Sequence, residues 1–529
     1  MDESPSCAAD CPHIWAALTL ASLANERMPA FPSSEARPLV GWSSRVNVGE
    51  LPRRPKRSTN DQRAQKLAQG IAWVSKFNVG QKYCVACAVE VPDPEVKYSQ
   101  RNIPEIVIRL AQHPFRGDST VRSLQDLLDK TVNFVHDDQR RDNRDQIRPL
   151  LERRIARFVE AVLLPQIIAM NQRRLYSYVN HRVAVFGRVL NETYFTIFSP
   201  VRQKRLRAVM RLLVDIAREE TPLEMKNTLL QSCIKECHGM MQVKVDIESM
   251  EDIWQTLRGQ QKYRRSSDLP RHKGSEEDDE ESHIVDEFEQ CLDTGPDNPA
   301  ELLHCRVLPV LMTLARYYRA AETIADGILW LSTTYKHLTV RVEVVQDAPE
   351  NAPRRASACN PPSTFRTYRR WIGAFRVPNE QELNTHWEKR VQSDVLYVHP
   401  EINLFMFYAQ NPHLTPLRKI FGISTKTCLA CNEFFHASVF VPSRDRLLLE
   451  YDSHGGRDSH HRPYTSWLFP SMSKQPVDDE RLQHMLQMIH KEMHATWRSI
   501  VNFTCDCGFK TSEPYIYRSI LPFSANTFR

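Results

Sequence analysis

The strongest constraint on how this 529-residue chain can fold is a pair of short motifs in its last quarter. These are His399-Pro400-Glu401 and, 26 residues further on, Cys428-Leu429-Ala430-Cys431. Together they offer one imidazole, two thiolates and one carboxylate, and a fold that uses them jointly must bring two separate backbone turns side by side. Each motif follows a β-prone run, Val395–Val398 or Arg418–Ile423, and each opens a helical pattern, Ile402–Ala409 or Cys428–Ala437. Both sets of side chains therefore stand at helix starts, where unpaired N–H groups and the positive end of the macrodipole favour thiolate over thiol. Pro400 suits a first helical turn, because its missing N–H costs nothing there. The Cys-x-x-Cys spacing puts both sulfurs on one side of a turn, and the gap accommodates a helix, a turn and a returning strand.

That donor set is the one zinc catalysis needs. Three protein ligands leave a fourth position for water, and a non-ligating carboxylate can move the water's protons. His399, Cys428 and Cys431 are the expected metal ligands, with Zn2+ as cofactor. Glu401 is the expected general acid/base, one carboxylate used twice, first on the water and then on a ring nitrogen and departing amine. The plainer alternative is that both cysteines are buried apolar-like thiols and His399 an ordinary helix-start residue.

The chain is too long for one core, and its composition shifts along its length. Residues 1–60 are rich in Pro, Ser and Arg and read as largely disordered, apart from a short apolar stretch at Ile14–Leu23. That stretch follows Asp2, Glu3 and Asp10, so it lacks a basic leader region, and it is too short to span a bilayer. Residues 61–260 read as a helical domain. Arg148–Ile168 and Val201–Ala217 have apolar residues near 3.6 spacing, the second with Arg202, Lys204, Arg205, Arg207 and Arg211 mostly opposite. Residues 261–300 form a charged linker around Glu276–Glu281, too densely acidic to be buried.

Beyond the linker, residues 301–510 alternate between the two periods. Leu302–Leu331 is helical. Leu338–Val345 alternates as a strand with one wet face, Leu338, Val340, Val342 and Val344 on one side and Thr339, Arg341 and Glu343 on the other. Ala348–Ser363 is a Pro-rich loop, Leu447–Tyr451 a further strand, Glu480–Ile500 a long amphipathic helix, and 511–529 a tail. The order implies a mixed sheet with helices on both faces. The net charge of +6, from 70 Lys+Arg against 64 Asp+Glu, is too mild at this length to mark a nucleic-acid binder. Thirteen cysteines, an odd number scattered along a large chain, favour a reducing compartment, so the expectation is an intracellular protein, cytoplasmic or nuclear, without a membrane segment.

On these residues the chain resembles the OTT-type deaminases, a branch of the cytidine-deaminase-like zinc deaminase superfamily found largely in fungi. The matching stretches are Val398-His399-Pro400-Glu401-Ile402, Gly422 through Cys428-Leu429-Ala430-Cys431-Asn432, Ser453-His454-Gly455, and Trp467-x-x-Pro470. The motifs span about residues 370 to 475, and the order of elements extends the likeness to about 300 to 510. The resemblance implies a five-stranded α/β/α deaminase fold, zinc on His399, Cys428 and Cys431, and Glu401 as proton shuttle. Two positions depart from the pattern: Pro400 stands where a small residue is usual, and Thr427 where the wider superfamily often has Pro. Neither removes a ligand or the carboxylate.

The expected architecture is therefore α/β, a three-layer deaminase-like mixed sheet in the C-terminal half, preceded by a mainly helical region. The expected activity is hydrolytic deamination of a nucleobase, free, in a nucleotide or in single-stranded nucleic acid. The rival is an inactive deaminase-fold scaffold, with the helical region binding a protein partner. His454, Asn403 and Trp467 are candidate substrate contacts, set against turn, helix and core roles for the same residues; Lys426 lies close to the motifs as well. Cys84-x-x-Cys87 could form a structural zinc site with Cys233, Cys237 and His238, but Cys84–Val89 reads more simply as a buried apolar stretch. Cys505 and Cys507 receive no role, and the basic faces near Arg140–Arg157 and Arg202–Arg211 read as solvated.

Overall fold

The computed structural model describes residues 58–76, 84–92, 104–112, 118–141, 148–180, 200–242, 308–335, 337–346, 353–359, 380–411 and 413–424, with 428, 430, 431, 434, 435, 466–468 and 470. The expectations for Ile14–Leu23, Glu276–Glu281, Lys426, Leu447–Tyr451, His454, Glu480–Ile500, Cys505 and Cys507 lie outside these residues.

The chain is mixed α/β. Helix α1 (Thr59–Val74) begins on a capping box: Ser58 Oγ accepts from Asp61 N and Ser58 N donates to the Asp61 carboxylate, both at 3.1 Å. Strands β1 (Val85–Glu90) and β2 (Glu105–Gln112) form an antiparallel pair. Helices α2 (Asp118–Arg141), α3 (Arg148–Phe158), α4 (Leu164–Met170), α5 (Pro200–Ala217), α6 (Leu223–Gln242) and α7 (Leu308–Thr334) follow. Strand β3 (Thr339–Val345) then pairs parallel to β2. A two-residue pair joins β4 (Arg354–Arg355) to β5 (Val395–Leu396), with α8 (Glu380–Ser393) between them. Helix α9 (Pro400–Gln410) and strand β6 (Pro416–Ile423) complete the described elements, and β6 runs antiparallel to β1. The sheet order is β3-β2-β1-β6.

Two of these four strands come from the stretch that reads as helical in the sequence. Val85–Glu90 and Glu105–Gln112 are strands within that mainly helical stretch, so the sheet takes strands from both sides of the acidic linker in sequence. Strand β1 is hidden in the sequence because it is buried at all six positions, so it shows no alternation, and its short apolar run carries no period of its own. The other difference is local. The expected helix Arg148–Ile168 is interrupted by a π turn at Val159–Leu163, where Leu164 N–H reaches back to the Val159 carbonyl. Pro165 follows directly, and the widened turn makes room for a ring that has no N–H to give.

The strand period assigns the two faces of the sheet. Gly422 lies against α1, since a Cβ built there would overlap the Ala68 carbonyl and the Gln69 nitrogen. The preceding residue, Phe421, stacks on Tyr408 of α9 with ring centroids 5.7 Å apart. Neighbouring positions on a strand point to opposite faces, so α1 and α9 cover opposite sides of the sheet. The α1 side is apolar. Cys87, Val89, Ile106, Ile108, Leu110, Val340 and Val342 join one core with Leu67, Ile71, Ile324 and Ile328 of α1 and α7. Those two helices cross closely enough that Gly327 leaves no room for a Cβ beside Leu67.

The α9 side is held by charge. Ala86 and Ala88 keep it shallow, and Arg109 bridges Glu90 of β1 and Glu343 of β3. Tyr408 Oη donates to Glu90 Oε1 at 2.7 Å, and the Arg109 guanidinium lies 4.6 Å over the Phe407 ring. Burial pushes the Tyr408 phenol well above its usual range, so it stays a donor. Three strands and α9 are thereby tied through one half-buried guanidinium.

Two stability outcomes follow, both read by denaturant unfolding. Gly422→Ala should lose about 3 kcal/mol or more, because the overlap is with backbone that cannot swing aside. Arg109→Met should cost about 3 kcal/mol, because it leaves the Glu90 carboxylate buried without its counter-charge. An unchanged midpoint in either variant would contradict the packing described for that face.

Candidate metal centre

His399 is the N-cap of α9, with extended φ −66° and ψ 145°. Its backbone carbonyl accepts from Ile402 N at 2.9 Å and Asn403 N at 3.0 Å, so the cap is made by main chain and the imidazole is left for other work. Pro400 occupies the first helical turn with its φ already set, as the sequence reading expects. Strand β5 leads into this turn, and β6 leads towards Cys428, with Ala430 and Cys431 already helical.

The partner strand fixes where the two turns meet. Ser424 N donates to the Val85 carbonyl, and Val85 N donates to Ser424 Oγ, both at 2.9 Å. The end of β6 is thus locked to the start of β1. The even-numbered positions of β1 face α9, and Cys84, one residue before the strand, brings its Sγ to 3.8 Å from Glu401 Oε2. The site sits at this end of the sheet, at the carboxyl end of β6, where open α/β sheets commonly place ligands.

His399 Nδ1 lies 3.5 Å from Cys428 Sγ and 3.3 Å from Cys431 Sγ, and all three residues are buried. A tetrahedral zinc with Zn–S of about 2.3 Å and Zn–N of about 2.0–2.1 Å sets its nitrogen and sulfur ligands about 3.6 Å apart. The donor chemistry and spacing both fit. Among the described residues these three form the group able to hold a metal ion, with their donor atoms all within 4.8 Å.

The electrostatics suit a cation. Burial works against charge on Cys428, but a hydrogen bond from the Cys431 thiol and the His399 charge outweigh it and hold Cys428 well below its ordinary value. Its sulfur also accepts the Cys431 backbone N–H at 3.4 Å. Cys431 is driven up by burial and by its hydrogen bond to Cys428. Glu401 is 2% exposed, and burial raises its carboxyl above the usual value, with the His399 charge pulling the other way.

Trp467 is reached from elsewhere in the sequence. Tyr397 N donates to the Ser466 carbonyl and Leu468 N to the Tyr397 carbonyl, both at 2.9 Å, which lays the segment beside the strand that enters His399. The indole is 1% exposed. Asn403 is buried in the first turn of α9, two residues past Glu401. Cys84 is the neighbour that sequence reasoning missed; the one signal for it is its place directly before a buried apolar run.

The second cysteine grouping does not form. Cys84 and Cys87 point to opposite faces of β1, and Cys233 and Cys237 lie in the apolar core. His238 stacks on Tyr318 at 4.2 Å and faces Glu322 at 3.3 Å.

The metal site predicts its own stoichiometry. Purified protein should carry about one zinc per chain, and Cys428→Ser or Cys431→Ser should lose it. Folded wild-type protein that takes up no zinc would contradict the assignment.

Comparison with known proteins agrees with this geometry. Neither curated proteins nor solved structures give a match to the chain. Residues 398–471 match the family model described as OTT_1508_deam-like deaminase, a span that holds His399, Glu401, Cys428, Cys431 and Trp467. This segment, with its His/Cys/Cys cluster, is similar to that deaminase family.

Proposed function

We propose that the protein is a zinc-dependent hydrolytic deaminase of a nucleobase, taken free, as a nucleotide or within nucleic acid. The observation that carries this reading is the position of Glu401. Its carboxylate is buried in the first turn of α9 beside the three metal-binding residues, yet is not one of them. A structural site has no need of such a group. The deaminase family match and the zinc-compatible spacing support the same reading.

Zinc held by His399, Cys428 and Cys431 would supply a Lewis acid able to make water nucleophilic near neutral pH. The chain's own residues do the rest. Glu401, buried beside the site, takes a proton from the attacking water and passes it to a ring nitrogen, then takes the remaining hydroxyl proton and gives it to the departing amine. The water oxygen bonds to the amine-bearing ring carbon, the C–N bond breaks, and ammonia leaves. The buried setting strengthens these interactions by excluding bulk water.

Asn403, in the same helical turn, is a proposed substrate contact, and His454 is proposed alongside it on sequence grounds. The rival scaffold reading wants a fourth protein ligand closing the site; among the described residues the cluster has three members. No described helix is long and apolar enough to cross a membrane. The thiols the cluster needs persist best in a reducing interior, which supports an intracellular setting.

An ammonia-release screen over cytosine- and adenine-containing nucleosides, nucleotides and single strands tests the proposal. One class should turn over, and Glu401→Ala should reduce that turnover by about 10²-fold or more while zinc stays bound. Unchanged turnover in the variant would remove Glu401 from the chemistry.

A further inference from the structure

Trp467 Nε1 lies 3.2 Å from Cys431 Sγ, within reach of an N–H···S hydrogen bond. An indole N–H can only donate, so the polarity of this contact is fixed: the sulfur accepts. The ring is 1% exposed, and its backbone is clamped to Tyr397, two residues before His399. One short strand end therefore carries a metal-binding residue and also anchors the tryptophan that holds another. The two sulfurs are served differently. Cys428 receives a main-chain N–H that the Cys-x-x-Cys turn itself provides, whereas the donor to Cys431 is a side chain 36 residues away.

We infer that Trp467 is a positioning residue for the metal: its indole N–H aims Cys431 Sγ at the ion and draws electron density from that sulfur. This inference rests on the metal-centre reading above, and it gives the ring a role other than stacking on substrate. A hydrogen bond to a buried thiolate stabilises its charge and weakens its donation to a bound cation, which leaves the cation a stronger Lewis acid. The bond also fixes χ1 of Cys431, whose thiol would otherwise have staggered alternatives that point away from His399.

The test uses full-length protein stripped of metal and titrated with Co2+, as wild type and as Trp467→Phe, which keeps an aromatic ring and removes the donor. Wild type should bind about one Co2+ per chain. The variant should bind about tenfold more weakly in chelator competition, as losses of supporting hydrogen bonds around metal ligands do. Its thiolate-to-cobalt charge-transfer band should move to longer wavelength, because the sulfur has become richer in electrons. Equal affinity with an unmoved band overturns the inference. So does weaker binding with an unmoved band, since that pattern reports lost packing alone. Wild type that binds no Co2+ instead overturns the metal centre itself, and the role of Trp467 with it. Should Trp467→Phe fail to fold, wild type loaded with a spin-half cadmium isotope and nitrogen-labelled tryptophan decides the matter. A scalar coupling between cadmium and one indole proton is expected, and its absence overturns the inference.

Discussion

The pairing of β1 with β6 is the contact on which the rest of the structure depends. It joins strands more than three hundred residues apart in sequence, with Cys87 opposite Gly422 and Ala88 opposite Phe421. Its last rungs are the two hydrogen bonds between Val85 and Ser424, and they set where the chain leaves the sheet for Cys428. The same rungs place Cys84 against Glu401. Gly422 is what lets the pairing occur so close beneath α1, for no side chain fits there.

The two faces of the sheet divide the work. One is an apolar core shared with α1 and α7, and it provides the bulk of the burial. The other carries α9, the helix whose first turn holds Pro400 and Glu401, and it is fastened by directional contacts. Arg109 reaches Glu90 and Glu343, and Tyr408 reaches Glu90. Buried ion pairs are weak sources of net stability, but they are demanding about geometry. At this face that demand fixes how far α9 sits from the strands, and with it the depth at which Glu401 is held.

Much of the site was legible in the sequence because it is local. The strand that precedes each motif, the helix each motif opens, and the cap at His399 all follow from residues within one or two turns. The alternation of Val340 and Val342 with Arg341 and Glu343 likewise marks β3 and its charged face without any tertiary information. What could not be read depends on contacts distant in sequence. Strand β1 is buried on both sides and so has no period to detect, which hid its place in the sheet. The π turn at Val159–Leu163 answers to Pro165, a residue that a helical apolar pattern simply passes over. The partner of Cys431 is a tryptophan brought in by a bridge to Tyr397, and no spacing rule connects them.

The central claim is that His399, Cys428 and Cys431 hold one zinc and leave a position open. X-ray absorption at the zinc edge of the purified protein tests it most directly. The predicted first shell is two sulfurs at about 2.3 Å and two lighter nitrogen or oxygen atoms at about 2.0–2.1 Å, with one imidazole in the outer-shell scattering. A shell of four sulfurs, of three sulfurs, or with two imidazoles would mean that other residues close the site, and would contradict it.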